Sequence, residues 1–171
     1  RSRSDDWAVD LDFSRLASRE AVPTNVRVQA IRILALRHQQ RTDRKLVAPQ
    51  NDPRPHAIQT LTKLLSAPKA RIRHEAVQAI WQMRLTTVVP ELLELAARET
   101  DRVTFYSTWN ALREFAPVEE RKSWLQDDRS GVQLAALLGL FENDEVTSED
   151  VLHLRTSPHE DVACLVEMGL Q

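Results

Sequence analysis

From Arg71 to Met83 the chain reads RIRHEAVQAIWQM. With Ile72 as position 1, apolar residues fall at positions 1, 5, 6, 8, 9 and 12, which are Ile72, Ala76, Val77, Ala79, Ile80 and Met83. At about 100° per residue they form one broad stripe, and His74, Gln78 and Trp81 look the opposite way, as on an amphipathic helix. The template returns in Val26, Ala30, Ile31, Ile33 and Leu34, and again in Thr104, Thr108, Trp109, Ala111, Leu112 and Phe115. Two further copies hold Val132, Ala136, Leu137, Gly139 and Leu140, then Val162, Val166, Gly169 and Leu170.

A shorter apolar run precedes each copy: Leu11, Phe13 and Leu16; Ile58, Leu61, Leu64 and Leu65; Leu92, Leu93, Leu95 and Ala96; Trp124 and Leu125; and the segment VLHLRTSP. Breaks between runs are marked by Pro23, Pro68, Pro90 and Pro117, and Pro55 suits a first helical turn. Asn25 predicts an N-cap, Asp101 a turn, residues 127–130 a loop and cap, and Ser148-Glu149-Asp150 another helix start. The template helices start at 26, 72, 104, 132 and 162, at spacings of 46, 32, 28 and 30. Position 9 is always Leu or Ile, and position 8 is small in every copy except at Ile33. A period near 30 with two helices per unit predicts an all-α solenoid of about ten helices in five antiparallel pairs, wound into a short right-handed superhelix.

The long first interval is explained by residues 38–54, HQQRTDRKLVAPQNDPR, which read as a polar, proline-bearing linker. Residues 1–9 read as a tail outside the fold, and residues 10–171 as one repeat domain. The last residues look helical and stop with no cap signal, so the chain reads as a piece of a longer protein.

Val26-Arg27…Ala30…Leu34 and Ile72-Arg73…Ala76…Ile80 resemble the V-R-x-x-A-x-x-x-L core of the HEAT and HEAT-like (lyase-type) repeat family. The resemblance covers about residues 10–171; Phe105, Gln133 and Ala163 stand where the arginine belongs in the other three copies. It implies a solenoid whose second helices line a concave surface, and it speaks for fold more than function.

Composition narrows the chemistry. The chain is 42% hydrophobic and 28% charged, as folded proteins are, and its three glycines are too few for glycine-rich phosphate loops. A net charge of −2 gives no overall attraction to nucleic acid, and no apolar run is long enough to insert in a membrane. Arg-rich, Lys-poor usage points to a GC-rich, bacterial coding sequence. Cys164 stands alone, which excludes an intrachain disulfide, and its setting VACLVEMGL predicts a buried, inert thiol.

Two enzymatic readings arise within the resemblance. His74-Glu75 looks similar to the metal-holding pairs of HEAT-type iron hydroxylases, but His159-Glu160 precedes its helix, and one pair cannot build a two-metal site. The four tryptophans invite comparison with HEAT-like DNA glycosylases, yet no Asp occupies position 3, 7 or 10 of any template helix. Trp109 and Trp124 fit core positions instead. No catalytic residue, metal ligand or cofactor is therefore assigned. A passive spacer in an exported protein joining dehydrogenase and haem domains is a third reading, but the chain has neither a haem motif nor a dehydrogenase signature.

Positions 3, 7 and 10 of the template helices carry the better signal. They place His74, Gln78, Trp81, Tyr106, Asn110, Arg113, Leu134, Leu138 and Phe141 along the expected concave strip. Aromatic and arginine residues beside an aliphatic patch have the composition of a binding hot spot. The stretch GVQLAALLGLF, apolar almost all round, marks a helix that is either doubly buried or an interface. These features predict a non-enzymatic scaffold that presents a rigid surface to a protein partner or a neighbouring domain.

Overall fold

The computed structural model describes residues 4–43 and 54–170. Among them are ten α-helices and no strand. They run as consecutive pairs: α1 (Ser4–Ser18) and α2 (Thr24–Asp43), α3 (Arg54–Leu64) and α4 (Ala70–Gln82), α5 (Val89–Arg98) and α6 (Arg102–Phe115). The last two pairs are α7 (Val118–Ser123) with α8 (Ser130–Glu142), and α9 (Ser148–Val151) with α10 (Glu160–Gly169). Single 3-10 turns follow α4, α7 and α9. Every second helix begins two residues before its first template position, so the expected spacings of 46, 32, 28 and 30 are those of the helices themselves.

Two compact units divide the chain, Arg1–Val88 and Val89–Gln171. In the first, α1 packs on α2 and α3, and α4 packs on α2 and α3. Ile31, Leu61, Leu65, Ile72, Val77 and Ile80 are its largest fully buried side chains. In the second, α8 is central, touching α5, α6, α7 and α10 around Leu92, Leu95, Leu112, Leu125, Leu137 and Leu140. Each such side chain contributes about 1.5–3 kcal/mol by leaving water, which is why small template residues beside large ones suffice to stack the pairs.

The arginine after the first template position has a visible task. Arg27 Nε donates to the Ala17 carbonyl at 2.8 Å, and Arg73 Nη1 donates to the Ala67 and Pro68 carbonyls at 2.9 and 3.1 Å. Arg27 ties α2 to a carbonyl in the last turn of α1, where the helix dipole favours a cation, and Arg73 ties α4 to carbonyls of the turn that follows α3. Gln133 does the same as a neutral amide, its Nε2 donating to the Leu125 carbonyl at 3.2 Å. Phe105 and Ala163 have no donor to offer there.

Several expectations need correction. Val26 is exposed while Arg27 and Val28 are buried, so the stripe of α2 is turned by about one residue as Arg27 reaches inward. Asn25 lies inside α2, where the N–H groups of Val26 and Arg27 donate to the Pro23 carbonyl. α9 does start at Ser148 as expected, and Thr147 before it is the cap, in a reciprocal capping box with Asp150. The N-cap of α8 is Arg129, which caps nothing with its side chain. α1 starts at Ser4, so residues 4–9 are helical and not a tail. α2 continues through residues 38–43 of the expected linker, because Arg37 and Arg41 both donate to the buried carboxylate of Asp10 on α1. The rest of that linker up to residue 53, and residues 1–3, lie outside the described residues. Cys164 is exposed, on the side of α10 opposite the buried Val162 and Val166.

Candidate docking site

In the first unit, His74 and Gln78 line a cleft of about 460 Å³ between α2 and α4, together with Arg32, Leu36 and Glu75. Trp81, one turn further along α4, is half-buried. Glu75 is 4% exposed and anchors the cleft. The Arg32 guanidinium grips it as a fork, Nε at 2.8 Å and Nη2 at 2.6 Å, and Arg71 Nε approaches at 3.5 Å from one helical turn away. The bond to Glu75, reinforced by its charge, holds the Arg32 proton more tightly than usual.

That geometry bears on the His74-Glu75 pair, since both Glu75 carboxylate oxygens are engaged by Arg32. The second pair is apart from it in role: His159 is the N-cap of α10, with its ring Nε2 3.2 Å from the Asp128 carbonyl. Among the described residues no three His, Cys, Asp or Glu side chains come together as metal ligands would.

In the second unit, Tyr106 projects from α6 with 62% of its surface exposed. Its ring meets the buried Trp109 ring edge-on, centroids 5.3 Å apart and planes at 82°. The Arg113 guanidinium lies over the same Trp109 ring at 5.3 Å and is paired with Glu142 of α8. Asn110 differs from its expected placement, being only 7% exposed. Its Nδ2 donates to the Tyr106 carbonyl at 2.9 Å, so the amide is satisfied by its own helix and braces the turn that carries Tyr106.

Leu134, Leu138 and Phe141 are all half-buried on α8. Leu134 borders a second cleft, of about 510 Å³, with Phe105 and Gly131. Phe141 packs onto α10, where a Cβ on Gly169 would stand 2.4 Å from its Cζ; only glycine admits the ring there. The all-round apolar helix is thus largely covered from within the unit, by α5, α6, α7 and α10.

Sequence reasoning left Arg32 out of the binding strip and passed over Leu36, both of which line the first cleft, Arg71, which approaches Glu75, and the exposed Met168 of α10; Cys164, read as buried, is exposed too. Cys164 and Met168 occupy positions 3 and 7 of the last template copy, so the same count would have found them.

The sequence matches the family model for HEAT repeats over residues 15–113. No curated protein matches it. One solved structure, described as "TOG-tubulin binding specificity promotes microtubule dynamics and mitotic spindle formation", is similar in fold. The TM-score is 0.55 at 16% identity, over 95% of this chain and 68% of that one. With paired helices at a near-constant spacing, a shared apolar template and the family match over more than half its length, the chain belongs to the HEAT repeat family.

Proposed function

We propose that this chain is a non-enzymatic docking module, holding a protein partner on outward positions of its second helices. In the first unit those are His74, Gln78 and Trp81, beside the α2–α4 cleft. In the second they are Tyr106, Arg113, Leu134 and Leu138, with Asn110 acting from beneath as a brace and Phe141 packed against α10. The observation that carries the reading is Tyr106: a large amphipathic ring, 62% exposed, held in one orientation by the buried Trp109. A ring fixed before binding loses little further entropy on capture, which is what makes Tyr beside Arg an effective anchor. The TOG–tubulin binding named for the similar solved structure is in keeping with a protein ligand.

The test compares partner capture by the wild-type chain and by Tyr106→Ala, with retained proteins identified by mass spectrometry. Selective loss of one partner, with the melting temperature unchanged, is the expected result. Identical retention by both forms would refute Tyr106 as the anchor.

A further inference from the structure

The net charge of −2 conceals two units of opposite sign. Arg1–Val88 carries sixteen Lys and Arg against eight Asp and Glu, a net +8. Val89–Gln171 carries seven against seventeen, a net −10, and the two sets together make the 23 bases and 25 acids of the chain. In the second unit the bases sit on acids: Arg113 on Glu142, Arg121 on Glu145, Lys122 on Asp150, Arg129 on Asp127 and Glu94, and Arg155 on Glu167. The first unit has an exposed pair of that kind, Arg15 on Asp12, but among its described residues each of the two buried carboxylates serves two bases. Asp10 serves Arg37 and Arg41, and Glu75 serves Arg32 and Arg71.

Around Glu75 the surplus is open to solvent. The Arg32 and Arg71 side chains are 52% and 64% exposed, whereas the Glu75 side chain is 5% exposed. Glu75 is the only acid among the described residues lining the α2–α4 cleft, so two cations face one anion that is itself sunk beneath them. Leu36 lines the cleft as an exposed aliphatic side chain, with Gln78 across from it on α4.

Resting on the docking reading above, we infer that the α2–α4 cleft takes an acidic peptide segment of a partner protein. Partner carboxylates join Arg32 and Arg71, and a neighbouring aliphatic side chain lies on Leu36. Charge complementarity selects an anionic ligand. The lining selects peptide over nucleic acid: binding of single strands relies on aromatic platforms for the bases, and among the described residues His74 is the one ring that lines the cleft.

The test uses the full chain and a short fluorescein-labelled oligoglutamate carrying a central Leu, followed by fluorescence anisotropy at low and physiological salt. A labelled oligolysine of equal length and a single-stranded oligonucleotide serve as comparisons. The oligoglutamate binds, and more weakly as salt rises. Arg71→Gln, at an exposed position, weakens it about threefold, and Glu75→Gln, which keeps a hydrogen-bonding amide and removes the competing charge, tightens it by about the same factor. Wild-type affinity in both variants overturns the inference. So does tighter binding of the oligonucleotide with the same dependence on Arg71. Self-association lost in Arg71→Gln, measured by sedimentation, would instead give the cleft to a second copy and would equally overturn it. The Tyr106→Ala capture experiment reads the other unit, so the docking reading stands or falls separately.

Discussion

The two units solve the same packing problem with opposite electrostatics. In the first, buried acids are each shared by two bases: Asp10 by Arg37 and Arg41, Glu75 by Arg32 and Arg71. The first also buries two bases, Arg27 and Arg41, whereas among the described residues of the second the buried ion is a base with no buried acid. Arg121 is buried beside α8, with Nε donating to the Ala116 carbonyl and Nη1 to the Gly139 carbonyl, both at 3.1 Å, and Nη1 pairing with Glu145 at 2.7 Å. That bond keeps the Glu145 carboxyl below its ordinary range. A buried ion must be matched by partners, and a carboxylate matched by two bases leaves a positive surplus where Arg121, matched by Glu145 and two carbonyls, leaves none. One repeat architecture can therefore carry a basic unit and an acidic unit without altering its apolar template.

The largest effect is expected where the shared carboxylate is removed. Asp10→Ala takes the common partner from Arg37 and Arg41, the latter only 9% exposed in its side chain. It should cost about 3–5 kcal/mol in urea unfolding. Lys122→Ala, which breaks the solvent-screened pair with Asp150 in the second unit, should cost far less. Equal losses would erase the contrast between the units.

Next in size is the close approach of α5 and α8. A Cβ on Gly131 would stand 2.1 Å from the Ala96 carbonyl oxygen, a backbone atom that cannot rotate away. Gly131→Ala should lower stability by about 1–3 kcal/mol in thermal unfolding. Gly139→Ala should cost far less, since its Cβ would meet the flexible Arg113 side chain at 3.4 Å.

The arginine-to-glutamine exchange between the units gives a smaller effect. Arg73→Ala and Gln133→Ala each remove a donor to carbonyls of the turn that follows a first helix. Each should cost about 1 kcal/mol, and more for Arg73 because a charged donor bonds more strongly. A silent Gln133→Ala would mean that the second unit does without this tie.

The smallest effect concerns acid. The Thr147 backbone N–H, then Lys122 and the Thr147 hydroxyl, hold the Asp150 carboxyl down from its ordinary 3.8 to about 2. A depressed carboxyl pKa stabilises the fold above the unfolded value, and the contribution is lost as pH falls through the folded value. Stability should therefore decline between about pH 3.8 and 2 in part through Asp150, and Asp150→Asn should flatten that decline.

How far the sequence discloses this molecule depends on the range of the interaction. The second helices and their spacings are legible because positions 5 and 6 of the template are decided by burial alone: Ala76 with Val77, Thr108 with Trp109, and Ala136 with Leu137 are all buried. Features set by partners distant in sequence are not legible. Periodicity makes residues 38–43 a linker because it contains no sign that Asp10 awaits Arg37 and Arg41. It points Val26 inward because it cannot weigh the pull of the Ala17 carbonyl on Arg27. At the candidate site the count places Tyr106 and Asn110 on one side of α6, yet the Asn110 amide turns back onto its own helix. Net charge misleads for a related reason, since it sums two units that the fold keeps distinct.

The central claim is that outward positions of the second helices are a docking surface and not part of the core. It is tested most directly by Trp81→Ala and Leu138→Asp, one in each unit, made singly and together. Each variant is melted and then used for capture beside the wild-type chain. The account predicts cooperative melting in every variant and loss of the same partner from the double variant. Unfolding of the single variants, or undiminished capture by the double variant, would contradict it.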